Sequence, residues 1–241
     1  MKRLFFVLLA VIAIATYGYT TLSHTTHPAT ATVAAPDNTE PVKALPAEFA
    51  LYDSLHLADL HLNHEAFTNA VKGYLKLKAN GKISGNILSI ADFTQPSTQK
   101  RLYVIDVLRG KLLFNTLVAH GRNSGGLMAN SFSNKNSSNQ SSLGFYATGE
   151  TYTGKHGTSL RLDGLEPGIN CNARERAVVL HAADYVSAEY AKNLGYIGRS
   201  FGCPAVPNNL CMPIINTIKN KNCLFIYSEK TNYLHTSGLL S

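Results

Sequence analysis

The chain has 241 residues, 22 Lys plus Arg against 15 Asp plus Glu for a formal net charge of +7, and 45% hydrophobic residues. That balance excludes a disordered polyelectrolyte and fits one ordinary globular domain with a basic surface. The basic residues are scattered and no basic run alternates with aromatics, so no nucleic acid partner is expected, whereas a weak pull towards carboxylate-rich material is.

The first 27 residues read MKRLFFVLLAVIAIATYGYTTLSHTTH: two basic residues, then an apolar run from Leu4 to Ala15, with small residues at 13–15 suited to cleavage. Residues 1–22 are therefore assigned as an export signal. No Lys, Arg, Asp or Glu occurs between Leu4 and Pro36, which leaves two outcomes open: removal, or retention as a membrane anchor with its basic flank in the cytoplasm. Either outcome predicts a periplasmic location or attachment to the outer face of the inner membrane. Residues 23–46, rich in Thr, Ala and Pro, bury too little apolar surface to offset ordering and read as a disordered linker.

A leading helical segment is expected over 47–82. Within it Phe67, Ala70, Val71, Tyr74 and Leu75 recur at helical spacing, Asn63 is placed as an N-cap and Gly81 as a stop. Glu65 in the first turn and Lys76 and Lys78 in the last suit the helix dipole. From there the pattern turns to strands over 83–229. RLYVIDVL and KLLFNTLVA flank Arg109 and Gly110 as a hairpin, and SLGFYATGETY, RAVVLHA and CLFIYS add further short β-rich runs. The expectation is a mainly β domain behind one leading helix, with 230–241 as a C-terminal tail. Between two of the runs lies a polar stretch, residues 120–142, too long for an ordinary connection and so either disordered or part of a binding site.

Four cysteines follow, Cys171, Cys203, Cys211 and Cys223. In an exported chain they permit two disulfides in three pairings, and their spacings of 32, 8 and 12 match no zinc signature. Cys203 stands apart. Gly202 allows close backbone approach before it and Pro204 fixes the chain after it, as suits an exposed nucleophile on a turn. A thiol nucleophile needs a base. His181, at the end of a strand-like run 22 residues earlier, is the candidate. The competing reading is a core histidine with a buried or bridged cysteine.

The block VVLHAADYVSAEYAKNLGYIGRSFGCPAVP resembles the catalytic block of the L,D-transpeptidases, the YkuD-like cell-wall enzymes, in which a histidine strand precedes a Ser-x-Gly-Cys turn. It is most similar to the subfamily reading His-Gly-Ala-Asp-Tyr-Val-Ser, then Gly-Arg-Ser-Trp-Gly-Cys-Pro-Ala. The resemblance runs from about Ala66 to Tyr227 and takes in the long polar loop. It implies an L,D-transpeptidase β-sandwich or barrel-like fold acting on peptidoglycan stem peptides without cofactor or metal. Cys203 would form a thioester with the tetrapeptide donor, releasing D-alanine. His181 would be the general base, Gly202 and Cys203 would supply oxyanion N–H groups, and Ser200 would orient His181 or brace the turn. An amine acceptor gives a cross-link, water a trimmed tripeptide, so carboxypeptidase is the alternative activity.

The departures from the family pattern are Ala182 for the glycine after the histidine, Phe201 before Gly202, and Ala205 where an Arg or Asn is common. Arg199 is therefore the candidate cation for the substrate carboxylate, and His120, Gly121, Tyr152 and His156 are candidate substrate-binding residues. With Cys203 reduced, one pair among Cys171, Cys211 and Cys223 can be bridged, although Cys223 reads equally as core. Two rival classes are a zinc peptidase using His120, His156, His181 and Asp184, and a non-catalytic wall-binding module. The cluster His56, His61 and His64 reads as a solvated face rather than a metal site.

Overall fold

A computed structural model describes residues 48–154 and 157–241. The export signal, the linker and His156 lie outside the described residues. Among those described, no helix is long and apolar enough to cross a membrane.

The leading segment forms two helices, α1 (Glu48–Ser54) and α2 (His64–Ala79). Asn63 caps α2 as expected, its side-chain oxygen accepting the Ala66 N–H at 3.0 Å, and Gly81 follows the end at φ +64°. The apolar stripe Ala66, Phe67, Ala70, Val71, Tyr74 and Leu77 is buried. Gly73 belongs to the same face because a Cβ there would sit 2.0 Å from the Phe145 ring. Truncating Phe67, 1% exposed, removes an aromatic whose loss costs about 3–5 kcal/mol at such a site.

The remaining chain builds eight strands: β1 (Ile87–Asp92), β2 (Leu102–Asp106), β3 (Lys111–Thr116), β4 (Gly144–Gly154), β5 (Gly157–Gly164), β6 (Val179–Ala182), β7 (Ala205–Val206) and β8 (Cys223–Tyr227). They lie in the order β3-β2-β1-β8-β4-β5-β6-β7. The expected hairpin is β2 paired antiparallel with β3. Ala119, three residues past β3, forms an antiparallel bridge to Ala205 in β7, so the chain leaving the first strand meets the last. The mainly β, nearly closed barrel-like fold behind a leading helix is the one the sequence predicts.

Three further helices were not expected: α3 (Ala188–Leu194), α4 (Asn208–Ile218) and α5 (Tyr233–Thr236). In α4, Cys211, Ile214, Ile215 and Ile218 fall at helical spacing and are buried, a stripe that Pro213 disguises in sequence. α5 belongs to residues 230–241, which dock on the domain: buried Glu166 accepts from the Phe145 N–H at 2.7 Å, the Tyr233 hydroxyl at 2.9 Å and the Ser237 hydroxyl. The disulfide expectation is corrected. All four cysteines are free, Cys211 and Cys223 buried in the core, Cys203 half-buried and Cys171 exposed.

Candidate active site

β6 and β7 run parallel, with His181 opposite Ala205, and this pairing fixes the site. The His181 N–H donates to the Pro204 carbonyl at 3.4 Å and the Ala183 N–H to the Val206 carbonyl at 3.1 Å. A histidine on β6 and a cysteine two residues before β7 are thereby held on adjacent stretches of chain. Both side chains line a cleft of about 310 Å³, together with Tyr152, Arg176, Tyr185, Arg199, Ser200 and Phe201.

The imidazole is oriented by backbone. His181 Nδ1 lies 2.8 Å from the Ala182 carbonyl oxygen. A carbonyl only accepts, so Nδ1 carries the proton and Nε2 keeps the basic lone pair. No carboxylate is required for that tautomer.

The Cys203 sulfur accepts the Val179 N–H at 3.4 Å, and its thiol faces the Ala177 carbonyl at 3.7 Å. Burial pushes the thiol pKa up, opposed by the Val179 N–H and by the Arg176 guanidinium. Desolvation thus favours the protonated form of this thiol. Ala177 is held at φ +53°, a left-handed conformation unfavourable for a residue with a Cβ, at the point where the chain reverses into β6.

Ser200 braces the turn. Its hydroxyl donates to the Cys203 carbonyl at 2.6 Å and accepts the Gly202 N–H at 3.0 Å. This corrects the expectation that Gly202 N–H is an oxyanion donor, because that hydrogen is already spent inside the turn. Among the described residues, neither the Phe201 N–H nor the Cys203 N–H makes a hydrogen bond, so both remain as donors in the turn, the Cys203 N–H being the one on the sulfur-bearing residue. Gly202 itself sits at φ +128° with the Gln140 carbonyl 2.8 Å from where a Cβ would be, so only glycine fits.

His120 and Gly121 support the turn from beneath and do not line the cleft. His120 is fully buried, which rules out the substrate contact expected of it. Its carbonyl accepts the Ser200 N–H at 3.0 Å, and the Arg122 N–H donates to the Ser200 carbonyl at 2.8 Å. Arg101, also fully buried, places Nη2 2.7 Å from His120 Nδ1 and donates to the Val118 and Gln95 carbonyls. Because arginine only donates, His120 Nδ1 is the acceptor and Nε2 carries the hydrogen towards the Gly125 carbonyl, 3.2 Å away. The two histidines thus hold opposite tautomers. Burial and the nearby Arg101 hold the His120 pKa down at about 4.

Tyr152 and Arg199 do reach the cleft. Arg199 is exposed and leans over the Tyr196 ring, 5.3 Å from its centroid, with Nη1 3.1 Å from the Gly125 carbonyl. Arg176 and Tyr185 also line it, although the sequence singled out neither as a cleft residue. Tyr185 is wedged against Gly198, where a Cβ would come within 2.3 Å of it. Among the described residues no three His, Cys, Asp or Glu side chains assemble as a metal-binding group, and His120 points to Arg101 rather than to His181.

A thiol and an oriented imidazole sharing one cleft, on a turn with a spare backbone donor, suit acyl transfer by a cysteine enzyme. A family model described as the L,D-transpeptidase catalytic domain matches residues 58–227, well over half of the chain, and the chain belongs to that family. It is similar in structure to an L,D-transpeptidase from Mycobacterium smegmatis (11% identity, 60% of each chain covered, TM-score 0.39). It is similar also to the helical cell shape determining protein of Campylobacter jejuni (14% identity, 62% of this chain and 49% of that chain, TM-score 0.41). A third similar structure is L,D-transpeptidase 3 from Mycobacterium tuberculosis with a faropenem-derived adduct (11% identity, 59% and 60% covered, TM-score 0.38). The chain spans about 60% of the length of the Mycobacterium smegmatis and Mycobacterium tuberculosis structures and about half that of the Campylobacter jejuni one. A search of curated proteins found no match.

Proposed function

We propose that this protein is a peptidoglycan L,D-transpeptidase that cleaves tetrapeptide stems through a Cys203 thioester. The observation that carries the reading is the shared cleft: Cys203 beside His181, whose Nδ1–H is fixed on the Ala182 carbonyl so that Nε2 is the base. The thiol proton passes to His181 as sulfur attacks the carbonyl of the third stem residue. The developing oxyanion is met by the Cys203 N–H, a donor of a kind typically worth about 3 kcal/mol in a preorganised site. His181 then returns the proton to the amine of D-alanine as the C–N bond breaks, leaving the thioester. An amine from a second stem resolves it with a new peptide bond, forming a cross-link; water resolves it as a tripeptide carboxylate.

Arg199 has no carboxylate partner among the described residues, and in this reading it receives the substrate's terminal carboxylate. Tyr152 forms the facing wall, and His156 belongs to the same reach of chain. The net charge of +7 suits a carboxylate-bearing wall polymer outside the cytoplasm. The N-terminal 22 residues are proposed as the export signal that takes the domain there.

The test is the full chain with a disaccharide-tetrapeptide, products followed by mass spectrometry beside Cys203→Ala. D-alanine release that vanishes in the variant supports the reading, a dimer marking transpeptidation and a tripeptide alone marking carboxypeptidation. D-alanine release that persists in Cys203→Ala, or that neither protein shows, would sink it.

A further inference from the structure

Arg176 is the cleft residue whose surroundings ask for an explanation. Its Nη1 donates to the Ser133 carbonyl at 2.7 Å and to the Ser142 hydroxyl; its Nη2 donates to the Ser138 hydroxyl at 3.2 Å and to the Gln140 carbonyl at 2.7 Å. One planar fork thus gathers four acceptors spread over ten residues of the polar loop, a geometry lysine cannot reproduce. The same guanidinium lies behind the nucleophile turn. A Cβ on Gly202 would sit 3.4 Å from Arg176 Nη2 and 2.8 Å from the Gln140 carbonyl that this nitrogen binds. The loop is tied to the turn a second time, through the Ser141 hydroxyl, which donates to the Gly202 carbonyl at 3.2 Å and accepts the Gly121 N–H at 3.0 Å.

All four of those partners are neutral. Among the described residues Arg176 has no carboxylate partner, so its half-buried charge is compensated by dipoles alone. Among the described residues, the other titratable or charged groups lining the cleft are His181 on β6, Tyr185 beyond it, Tyr152 on β4 and Arg199 before the turn. None of these is a carboxylate. Among the described residues lining the cleft there is no carboxylate, so a thiolate at Cys203 would be their one negative charge, and it would share the cleft with the Arg176 guanidinium.

We propose that Arg176 is a positioning residue for the Cys203 nucleophile: it fastens the 133–142 loop behind the Gly202–Cys203 turn and keeps a fixed positive charge beside the sulfur as it ionises. The inference rests on the reading of Cys203 as the nucleophile, and it separates two tasks in one side chain. Fastening depends on the forked donors, ionisation on the charge.

The experiment is the pH profile of Cys203 alkylation by iodoacetamide in the full chain, without substrate, the modified peptide being identified by mass spectrometry. Arg176→Gln is expected to raise the midpoint by about one pH unit, slowing alkylation at pH 7 about tenfold. Arg176→Lys keeps the charge and loses the fork; its midpoint stays within about half a unit of the parent while amide exchange over 133–142 quickens. Ser142→Ala loosens the loop and leaves the midpoint in place. An unmoved midpoint in Arg176→Gln overturns the proposal. Should that variant not fold, Arg176→Lys decides alone, a shift of about one unit or more counting against it. Because alkylation needs no turnover, the result stands apart from the muropeptide assay, whose failure would overturn the proposed activity but leave the midpoint readable.

Discussion

Two cysteines of this domain face solvent or a cleft, and they are built in opposite ways. Cys171 sits on an exposed loop, its sulfur accepting the Gly168 N–H at 3.4 Å and the Asn134 amide at 3.3 Å, and those donors hold its pKa below the ordinary thiol value. Cys203 is half-buried and its pKa is pushed up by desolvation. The more acidic thiol is therefore the one outside the cleft. In the proposed reading acidity at rest does not mark the nucleophile; a base on the neighbouring strand, a spare backbone donor and a cavity for the acyl group do.

The sharpest way to break that contrast is substitution. Cys203→Ala should lower D-alanine release by about a thousandfold or more, whereas Cys171→Ser should leave it unchanged, as measured by mass spectrometry of muropeptide products. His181→Gln should cost about a hundredfold or more, since the neutral thiol then lacks its proton acceptor, and the loss should shrink as pH rises and the thiol ionises unaided. A His181→Gln variant with full activity at pH 7 would mean that Cys203 needs no base.

The support beneath the two thiols differs as well. The Cys203 turn rests on buried His120 and Arg101, while the Cys171 loop is anchored by buried Asn170, whose amide donates to the Leu143 and Phe145 carbonyls at 2.9 and 3.0 Å. With a folded pKa of about 4 against 6.5 when unfolded, His120 takes up its proton first in the unfolded chain. Its contribution to stability is thus complete above about pH 6.5 and is lost as pH falls towards 4. The full swing is about 3 kcal/mol, of which most is spent by pH 4.5. Denaturant titrations at pH 7 and 4.5 should show His120→Asn, which keeps an acceptor for Arg101 without the titration, losing about 2 kcal/mol less than the parent over that interval. Parallel losses in both proteins would remove His120 as the source.

The helix and hairpin were legible because local rules wrote them: Asn63 as cap, Gly81 past the end, period-two runs on either side of Arg109 and Gly110. α4 was not, because Pro213 hides an apolar stripe that tertiary burial rescues. Cys203, His181 and Ser200 stood out as a pattern, and the structure brings them to one cleft. The role of His120 was misread, because a conspicuous polar residue at the head of a polar loop looks like a ligand group, and the buried Arg101 that claims it lies 19 residues upstream. Arg176 gave no signal of its own. What distinguishes it is convergence of four acceptors from a loop more than thirty residues away, which spacing along the chain does not encode.

The smallest expected effect is a race between the two thiols. At pH 7, without substrate, iodoacetamide should label Cys171 several-fold faster than Cys203, because the attacking species is the thiolate and Cys171 has both the larger thiolate fraction and the freer approach. A carbapenem should reverse the order. Its strained carbonyl must be held against a donor and its ring nitrogen given a proton, tasks for which Cys203 has its own N–H and His181 and Cys171 has neither group among its partners. Peptide mapping after each reagent gives the two ratios on one protein sample. A carbapenem adduct on Cys171, or equal labelling of both thiols by both reagents, would collapse the distinction between an acidic cysteine and a catalytic one; opposite preferences would locate catalysis in the surroundings of the sulfur rather than in the sulfur itself.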